Sequence, residues 1–163
     1  MVESAGSGLR HLAHGVLALG EGTVEERLLA LHDGLSRELG THRPQLVAVE
    51  DVFSKHAKSA LVLGQARGVA LLAAAQAGAA VRAFPPAAIK QLVTGSGRAE
   101  KGQVGRMVSM LLGVTIDERA DASDALAAAI CGLLSARGPV LPAVSPRSAR
   151  SAEVLRLLKA RRR

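Results

Sequence analysis

The chain has 163 residues, enough for one domain with a packed core. Apolar residues make up 48% of it, which argues against a disordered chain. The formal net charge is +7, but residues 145–163 carry seven basic residues against one acid, so almost all of that charge lies in a basic tail and does not by itself show that the folded part binds nucleic acid.

The single cysteine, Cys131, excludes an internal disulfide and lies in an apolar run, where a buried and inert thiol is expected. A chain without an internal disulfide fits a reducing compartment. Every apolar stretch is interrupted before it reaches about 18 residues, so we predict no membrane-spanning helix. The first residues lack a basic segment followed by an apolar run, so we predict no secretory signal and a cytoplasmic protein.

A strand and a helix are predicted near the N-terminus. Residues 9–19 are mostly small and apolar and predict a strand ended by Gly20. Thr23 and Glu26 have the spacing of a capping box, in which each side chain satisfies a free backbone N–H at the start of a helix. Leucines recur at helical intervals after them, so the helix should run to about Leu39 and end at Gly40.

The middle of the chain predicts a buried strand followed by a long helix. Residues 46–49 (LVAV) have no polar residue on either face, which is typical of a strand buried on both sides in the middle of an α/β sheet. Residues 57–77 form an alanine-rich helical segment. Gly64 and Gly68 lie on one face of it, and because glycine weakens a helix, the pair suggests that another element approaches closely there.

The remaining elements are predicted from residues that end or begin strands and helices. Residues 79–84 could form a strand, and the Pro85-Pro86 pair would end it and begin a short helix. A further helix should start near Glu100, and a last one should cover residues 121–136. The residues of the Glu100 helix predicted to face inward are Val104, Met107, Val108 and Leu111.

Strands therefore alternate with helices, and the predicted class is α/β. We assign residues 1–137 to one domain. Residues 138–163 form a tail rich in Pro, Ser and Arg, with a weak basic helix predicted over residues 152–160.

Three acids stand out by position. Glu50 follows the buried strand at its carboxyl end, where functional sites of α/β sheets gather. Asp121 and Asp124 are three residues apart at the start of a helix and so share a face. Taken alone, such aspartates are more often helix caps, and an acid after a strand is often only solvated. Together they would suit Mg²⁺, which takes oxygen ligands and, as a pair of ions ~3.5–4 Å apart, can promote phosphodiester cleavage.

Two lysines, Lys90 and Lys101, flank a glycine-containing loop at residues 95–97. They could contact a DNA backbone, with loop amides holding a phosphate, or they could be solvated lysines beside a turn. The loop is not a nucleotide-binding P-loop, because its glycine spacing differs and no Ser or Thr follows Lys101.

Phe53 lies in a polar loop just after the acids, where it could stack on an unpaired base or fill the edge of the core. His11 and His14 carry little weight as a metal pair, because on the predicted strand they would face different sides.

Five stretches, in order over roughly residues 2–135, resemble the RuvC family of Holliday-junction resolvases: VAVEDVF at 47–53, SALVLGQARGVA at 59–70, KQ at 90–91, AEK at 99–101 and ADASDALA at 120–127. The resemblance implies a ribonuclease-H-like fold, a mixed sheet flanked by helices. It implies a homodimer that nicks four-way DNA junctions with Mg²⁺, two ions per active site with Mn²⁺ as a substitute, and works with a branch-migration motor of the RuvA and RuvB type.

The resemblance also implies roles for six residues, three as metal-binding catalytic carboxylates, one as a base-stacking aromatic and two as basic groups near the scissile phosphate: Glu50, Asp121 and Asp124, then Phe53, then Lys90 and Lys101. It likens the long helix with Gly64 and Gly68 to the dimer helix of the family.

One departure from the family pattern is expected to matter. The family begins with a central strand that ends in a catalytic Asp, and no such motif occurs here, so we expect this strand and this Asp to be missing through a wrong start codon or because the sequence is a fragment. The second hypothesis is a junction-binding protein that does not cleave. A third, a small-molecule α/β enzyme, is weak because no nucleotide motif or nucleophile elbow is visible.

Overall fold

The computed structural model of the chain describes residues 1–51, 56–116 and 120–136. The elements in these residues follow the order β1 (Val2–Ala5), β2 (Gly8–His11), α1 (Val24–His42), β3 (Leu46–Glu50), α2 (Ala57–Gln76), β4 (Ala80–Phe84), α3 (Pro86–Thr94), α4 (Lys101–Leu112) and α5 (Ala120–Ala136). The predicted tail at 138–163, its helix at 152–160, and Phe53 lie outside the described residues.

The described strands form two separate pairs. Strands β1 and β2 are antiparallel, with Val2 opposite His11. Strands β3 and β4 are parallel, and α2 makes the crossover between them, as a parallel pair requires. The pairing ends with Glu50 opposite Phe84, and the ladder continues for one bond because the Asp51 amide donates to the Phe84 carbonyl oxygen at 2.8 Å.

Strand β3 is less buried than its composition predicts. We expected a strand covered on both sides, but every residue from Leu46 to Glu50 is only half-buried. Among the described residues, β4 is the only strand that pairs with β3, so its second edge has no neighbouring strand to cover it. The prediction of a β strand is confirmed, and the prediction of full burial is wrong.

The predicted strand over residues 9–19 is wrong in extent. Strand β2 ends at His11, and residues 12–19 have no regular structure. The amides of Leu12 and Ala13 both donate to the Met1 carbonyl oxygen, at 3.1 and 3.4 Å, so the ladder closes on the end of β1 and the chain turns away. Small apolar residues alone did not indicate where the partner strand ends.

Helix α1 begins as predicted and ends later. The Glu26 amide donates to Thr23 Oγ1 at 3.3 Å and the Thr23 amide donates to Glu26 Oε2 at 2.8 Å, which confirms the capping box. The helix continues through Gly40 to His42 and closes at Arg43, which adopts a left-handed conformation with φ of 43°. Gly40 as the end of the helix is therefore wrong, because a glycine costs helix stability without forcing termination.

Helix α2 and strand β4 match their predicted bounds to within one residue, and helix α3 begins at the predicted proline pair. Near Gly64 and Gly68, a built Cβ would meet no described atom within 4 Å, so the predicted close approach is not made by the described part of this chain. No helix among the described residues is long and apolar enough to cross a membrane.

The core lies between α3, α4 and α5. Its most buried members include Val108 from α4 and Leu126, Ile130 and Cys131 from α5, so the predicted burial of the thiol is confirmed. Val104 is buried and Met107 partly buried, as expected, but Leu111 is 40% exposed and Leu112 takes the inward position instead. The inward prediction for Leu111 is wrong because the buried row of α4 continues at i+4, from 104 to 108 to 112.

Helix α5 holds the sheets and helices together, since it packs on β1, on β3 and on α3 and α4. At Gly132 it comes so close to β3 that an added Cβ would lie 3.2 Å from the Ala48 Cβ and 3.2 Å from Leu46 Cδ2. The absence of a side chain at this position lets the helix carrying Asp121 and Asp124 lie directly against the strand carrying Glu50.

Candidate active site

Glu50 is placed by the end of the parallel strand pair. It is the last residue of β3, at the carboxyl end where β3 and β4 finish together. The backbone at this end is held twice. The Asp51 amide bonds to β4, and Arg67 Nη1 of α2 donates to the Glu50 carbonyl oxygen at 3.0 Å. The Glu50 side chain lines a cavity next to these bonds.

Asp121 and Asp124 lie in the first turns of α5. The N-terminal end of a helix carries partial positive charge, which favours carboxylates there. Asp124 lines the same cavity as Glu50, with 40% of its side chain exposed. Asp121 is exposed and is not among the residues that line this cavity.

Lys101 lies opposite the aspartates, at the first position of α4. Its Nζ is 3.0 Å from Asp124 Oδ2. The hydrogen bond and charge of Asp124 raise the pKa of the Lys101 ammonium, with smaller contributions from Asp121 and Glu50. All three predicted carboxylates therefore act on one cation. A lysine at a helix N-terminus is repelled by the helix dipole, so these carboxylates balance a charge that α4 disfavours.

The cavity brings four of the six predicted residues together. Its volume is about 260 Å³, and the predicted residues in its wall are Glu50, Lys90, Lys101 and Asp124. The remaining wall is apolar and comes from Pro86, Ile89, Val104 and Ala127. Two acids and two lysines thus converge on an open depression from β3, α3, α4 and α5. Asp121 lies beside it, and Phe53 is outside the described residues.

The donor set suits a hard divalent cation. Carboxylate oxygens are the ligands that Mg²⁺ prefers; Asp124 contacts the Lys101 ammonium, and Asp121 and Glu50 act on it more weakly through their charge. Within residues 1–51, 56–116 and 120–136, no three His, Cys, Asp or Glu side chains stand close enough together to hold a metal ion. Binding of a cation by this set therefore requires the side chains to draw together.

Sequence reasoning assigned no role to Arg67, which lies within the quoted 59–70 stretch. Its guanidinium contacts both residues at the end of β3, Glu50 through the backbone and Asp51 through an ion pair with Nη2 to Oδ1 at 3.2 Å. The sequence feature that could have pointed to Arg67 is its position as the single arginine of a helix rich in alanine and leucine.

His11 and His14 lie closer together than we predicted. Their rings meet, with Nδ1 of His14 2.9 Å from Nε2 of His11, because the strand ends at His11 and the chain turns. The prediction that they face different sides is wrong. Burial, the neighbouring His14 and the chain's own amino terminus lower the pKa of His11.

Comparison with known proteins assigns this chain to a family. The family model described as crossover junction endodeoxyribonuclease RuvC matches residues 1–132. The chain belongs to the RuvC family.

Curated relatives agree with this assignment. The crossover junction endodeoxyribonuclease RuvC of Alkalilimnicola ehrlichii is 48% identical over 134 residues, 82% of this chain and 81% of that protein. The protein of the same name from Myxococcus xanthus is 48% identical over 150 residues, covering 89% of this chain and 78% of the relative.

Solved RuvC structures share the fold. Thermus thermophilus RuvC aligns with a TM-score of 0.74 at 34% identity, covering 84% of this chain and 85% of that one. T. thermophilus RuvC in complex with Holliday junction substrate aligns with a TM-score of 0.78 at 33% identity, covering 83% and 85%. The predicted family and ribonuclease-H-like α/β class are confirmed.

Proposed function

We propose that this RuvC-family chain is a structure-selective endonuclease that resolves Holliday junctions by paired, metal-dependent cleavage in DNA recombination and repair. The observation that carries the proposal is the shared cavity, in which acids from β3 and α5 meet lysines from α3 and α4. Acids beside lysines suit phosphodiester hydrolysis, because the acids bind cations and the lysines bind the DNA backbone. Support comes from the aligned RuvC that was solved with a Holliday junction substrate.

Glu50, Asp121 and Asp124 are the proposed metal-binding catalytic carboxylates. They would hold Mg²⁺, two ions per active site, with Mn²⁺ as a substitute. When bound, such ions lower the pKa of a water molecule and neutralise charge on the leaving oxygen. Nuclease membership supports divalent metal use in general, and the three carboxylates acting on Lys101 support this particular set.

The lysines bind the substrate phosphate in this scheme. With cations held by the carboxylates, Lys101 would be able to exchange its contact with Asp124 for one with the phosphate beside the scissile bond. Lys90 supplies a second positive charge from α3, across the same cavity. For Phe53 we propose stacking on a base opened at the crossover.

Paired nicking requires two active sites, and we propose that α2 supplies the dimer surface. Leu61, Val62 and Leu72 on this helix are 64%, 55% and 52% exposed, a large apolar area for a solvent-facing helix. Space is open over Gly64 and Gly68, which would let a partner helix approach closely. We further propose that the dimer works in the cytoplasm with a RuvA and RuvB type motor, residues 1–137 forming the nuclease domain and 138–163 a basic tail.

The decisive test is cleavage of a synthetic four-way junction by the 163-residue chain, with Mg²⁺ and with a chelator. We expect symmetric nicks that disappear in chelator and in Glu50→Gln and Asp124→Asn. Glu21→Gln, an exposed acid outside the cavity, is the matched control and should cleave like the parent. Cleavage that survives Glu50→Gln would refute the catalytic assignment.

The second candidate is a protein that binds junctions without cutting them. It is favoured by the absence from this sequence of the family motif in which a first strand ends in a catalytic Asp. Tight junction binding with no nicking at any Mg²⁺ concentration would establish this candidate in place of the first.

A further inference from the structure

We propose that Arg67 is a positioning residue that holds the end of β3, and with it the Glu50 carboxylate, in place for metal binding. The role of Arg67 in metal binding rests on the proposed function, whereas its contacts with Glu50 and Asp51 do not depend on that function. Arg67 touches the backbone of Glu50 and the side chain of Asp51, and it does not line the cavity.

The strand end needs such a support. The last bond between β3 and β4 among the described residues runs from the Asp51 amide to the Phe84 carbonyl oxygen. Beyond that bond the Glu50 carbonyl oxygen points away from β4 and has Arg67 Nη1 as its donor at 3.0 Å. A hydrogen bond from a charged donor is stronger than one between neutral groups, and this contact gives the Glu50 carbonyl oxygen a donor outside the ladder.

Asp51 completes the arrangement by orienting the guanidinium. Its Oδ1 lies 3.2 Å from Arg67 Nη2, while Nη1 is directed at the Glu50 carbonyl. The planar guanidinium places both donors in fixed directions, which a single ammonium group cannot do. Asp51 is therefore the counter-ion of Arg67, and we do not count it among the metal ligands although it neighbours Glu50. Both side chains are about one-third exposed, at 33% and 37%, so the value of the pair lies in geometry more than in charge attraction.

The contact is a direct link between α2 and the end of β3. Arg67 belongs to the middle of α2, whereas Glu50 ends β3, and residues of α2 separate the two strands in sequence. A small displacement of a catalytic group can cost about 100-fold in rate. Loss of Arg67 should therefore appear as a weaker metal site and a slower chemical step, with junction binding retained.

The test compares Arg67→Ala, Arg67→Lys and Asp51→Asn in the full chain, with Arg37→Ala as the matched control because Arg37 is exposed on α1. Single-turnover nicking of a four-way junction is measured across Mg²⁺ concentrations, and junction affinity is measured in Ca²⁺. For Arg67→Ala we expect a loss on the order of 10- to 100-fold at low Mg²⁺, partly restored at high Mg²⁺. Junction affinity should stay unchanged, and Arg67→Lys and Asp51→Asn should fall between.

A second readout does not depend on catalysis. Amide hydrogen exchange at Asp51 should rise roughly tenfold in Arg67→Ala, because the strand end loses its charged hydrogen bond, while amides of α4 and α5 stay protected. If Arg67→Ala does not fold, Asp51→Asn gives the same test with a smaller rise. Unchanged Asp51 exchange, or nicking with the parent's Mg²⁺ requirement, would overturn the proposal. A parent chain that never nicks would refute the proposed function instead, and the exchange result would still decide whether Arg67 holds the strand.

Discussion

Gly132 lies where α5 packs against β3, and replacing it should push apart the two elements that carry Asp124 and Glu50. Two neighbours limit the space, the Ala48 Cβ and Leu46 Cδ2, each 3.2 Å from the position of an added Cβ. Unstrained carbon atoms stay about 3.5–4.0 Å apart. The Ala48 Cβ is fixed to the strand backbone and cannot rotate away, so the strand or the helix must shift.

The loss of stability depends on the size of the new side chain. For Gly132→Ala, the gain in helix propensity of about 1 kcal/mol offsets the tight contact, so we expect little net change in stability. For Gly132→Leu, three further carbon atoms must enter a filled interface, and overpacking of this kind costs about 1–3 kcal/mol, which the gain in helix propensity of about 1 kcal/mol offsets in part. With roughly 2–4 °C lost per kcal/mol for a domain of this size, the melting temperature should fall by several degrees.

Urea unfolding and calorimetry without Mg²⁺ measure this effect directly. Gly40→Leu is the matched control, since Gly40 is also helical but a Cβ there would meet nothing within 4 Å. The control should be neutral or slightly stabilising. Nicking at limiting Mg²⁺ should fall in Gly132→Leu beyond what the unfolded fraction explains, because the carboxylates separate. Equal stability of the two leucine variants would refute the close packing of α5 on β3.

Three further predictions follow from single contacts. Burial raises the pKa of the Cys131 thiol, so less of it is thiolate, and alkylation at pH 8 should be slow in the native protein and fast in denaturant; rapid native labelling would contradict the burial. Thr23→Ala should lower the free energy of unfolding by about 1 kcal/mol through loss of the capping box, while Thr23→Ser should keep most of it, and equal urea midpoints for Ala and parent would show that the cap is not formed. The hydrogen bond to Gln76, and then Asp33, raise the pKa of His32, so its contribution to stability is complete below the unfolded pKa near 6.5 and is lost as pH rises through the folded value. His32→Ala should accordingly destabilise the protein more at pH 5.5 than at pH 8.5, and a pH-independent difference would contradict this sign.

The start of a helix could be predicted from the sequence where the residues that determine it lie within one turn of each other. The start of α1 depends on Thr23 and Glu26 alone, and the start of α3 depends on its proline pair. The end of β2 depends instead on hydrogen bonds to Met1, and the end of α1 on the left-handed conformation at Arg43. The end of β2 has no signature in the residues nearby. The end of α1 has one, because Pro44 disfavours helical backbone at Arg43, but Gly40 was taken as the end, so both boundaries were misplaced.

The candidate site was predictable in its residues but not in its contacts. Glu50 and Asp124 were chosen because one ends an apolar strand and the other opens a helix, and both line the cavity. No periodicity could show that Lys101 pairs with Asp124, or that Arg67 reaches back to the Glu50 carbonyl. These contacts depend on how helices pack across the sheet, and packing is settled by the shape of the whole core.

The packing of α5 on β3 determines how far apart the backbone positions of Asp124 and Glu50 lie. Asp124 extends from a helix whose next residues, Leu126 and Ala127, are almost fully buried, so its backbone cannot drift relative to the core. Glu50 is held by β4 on one side and by Arg67 on the other. Lys101 is less enclosed, since its side chain is 61% exposed. Cation binding should therefore move side chains toward one another and leave the backbone of β3 and α5 where it stands.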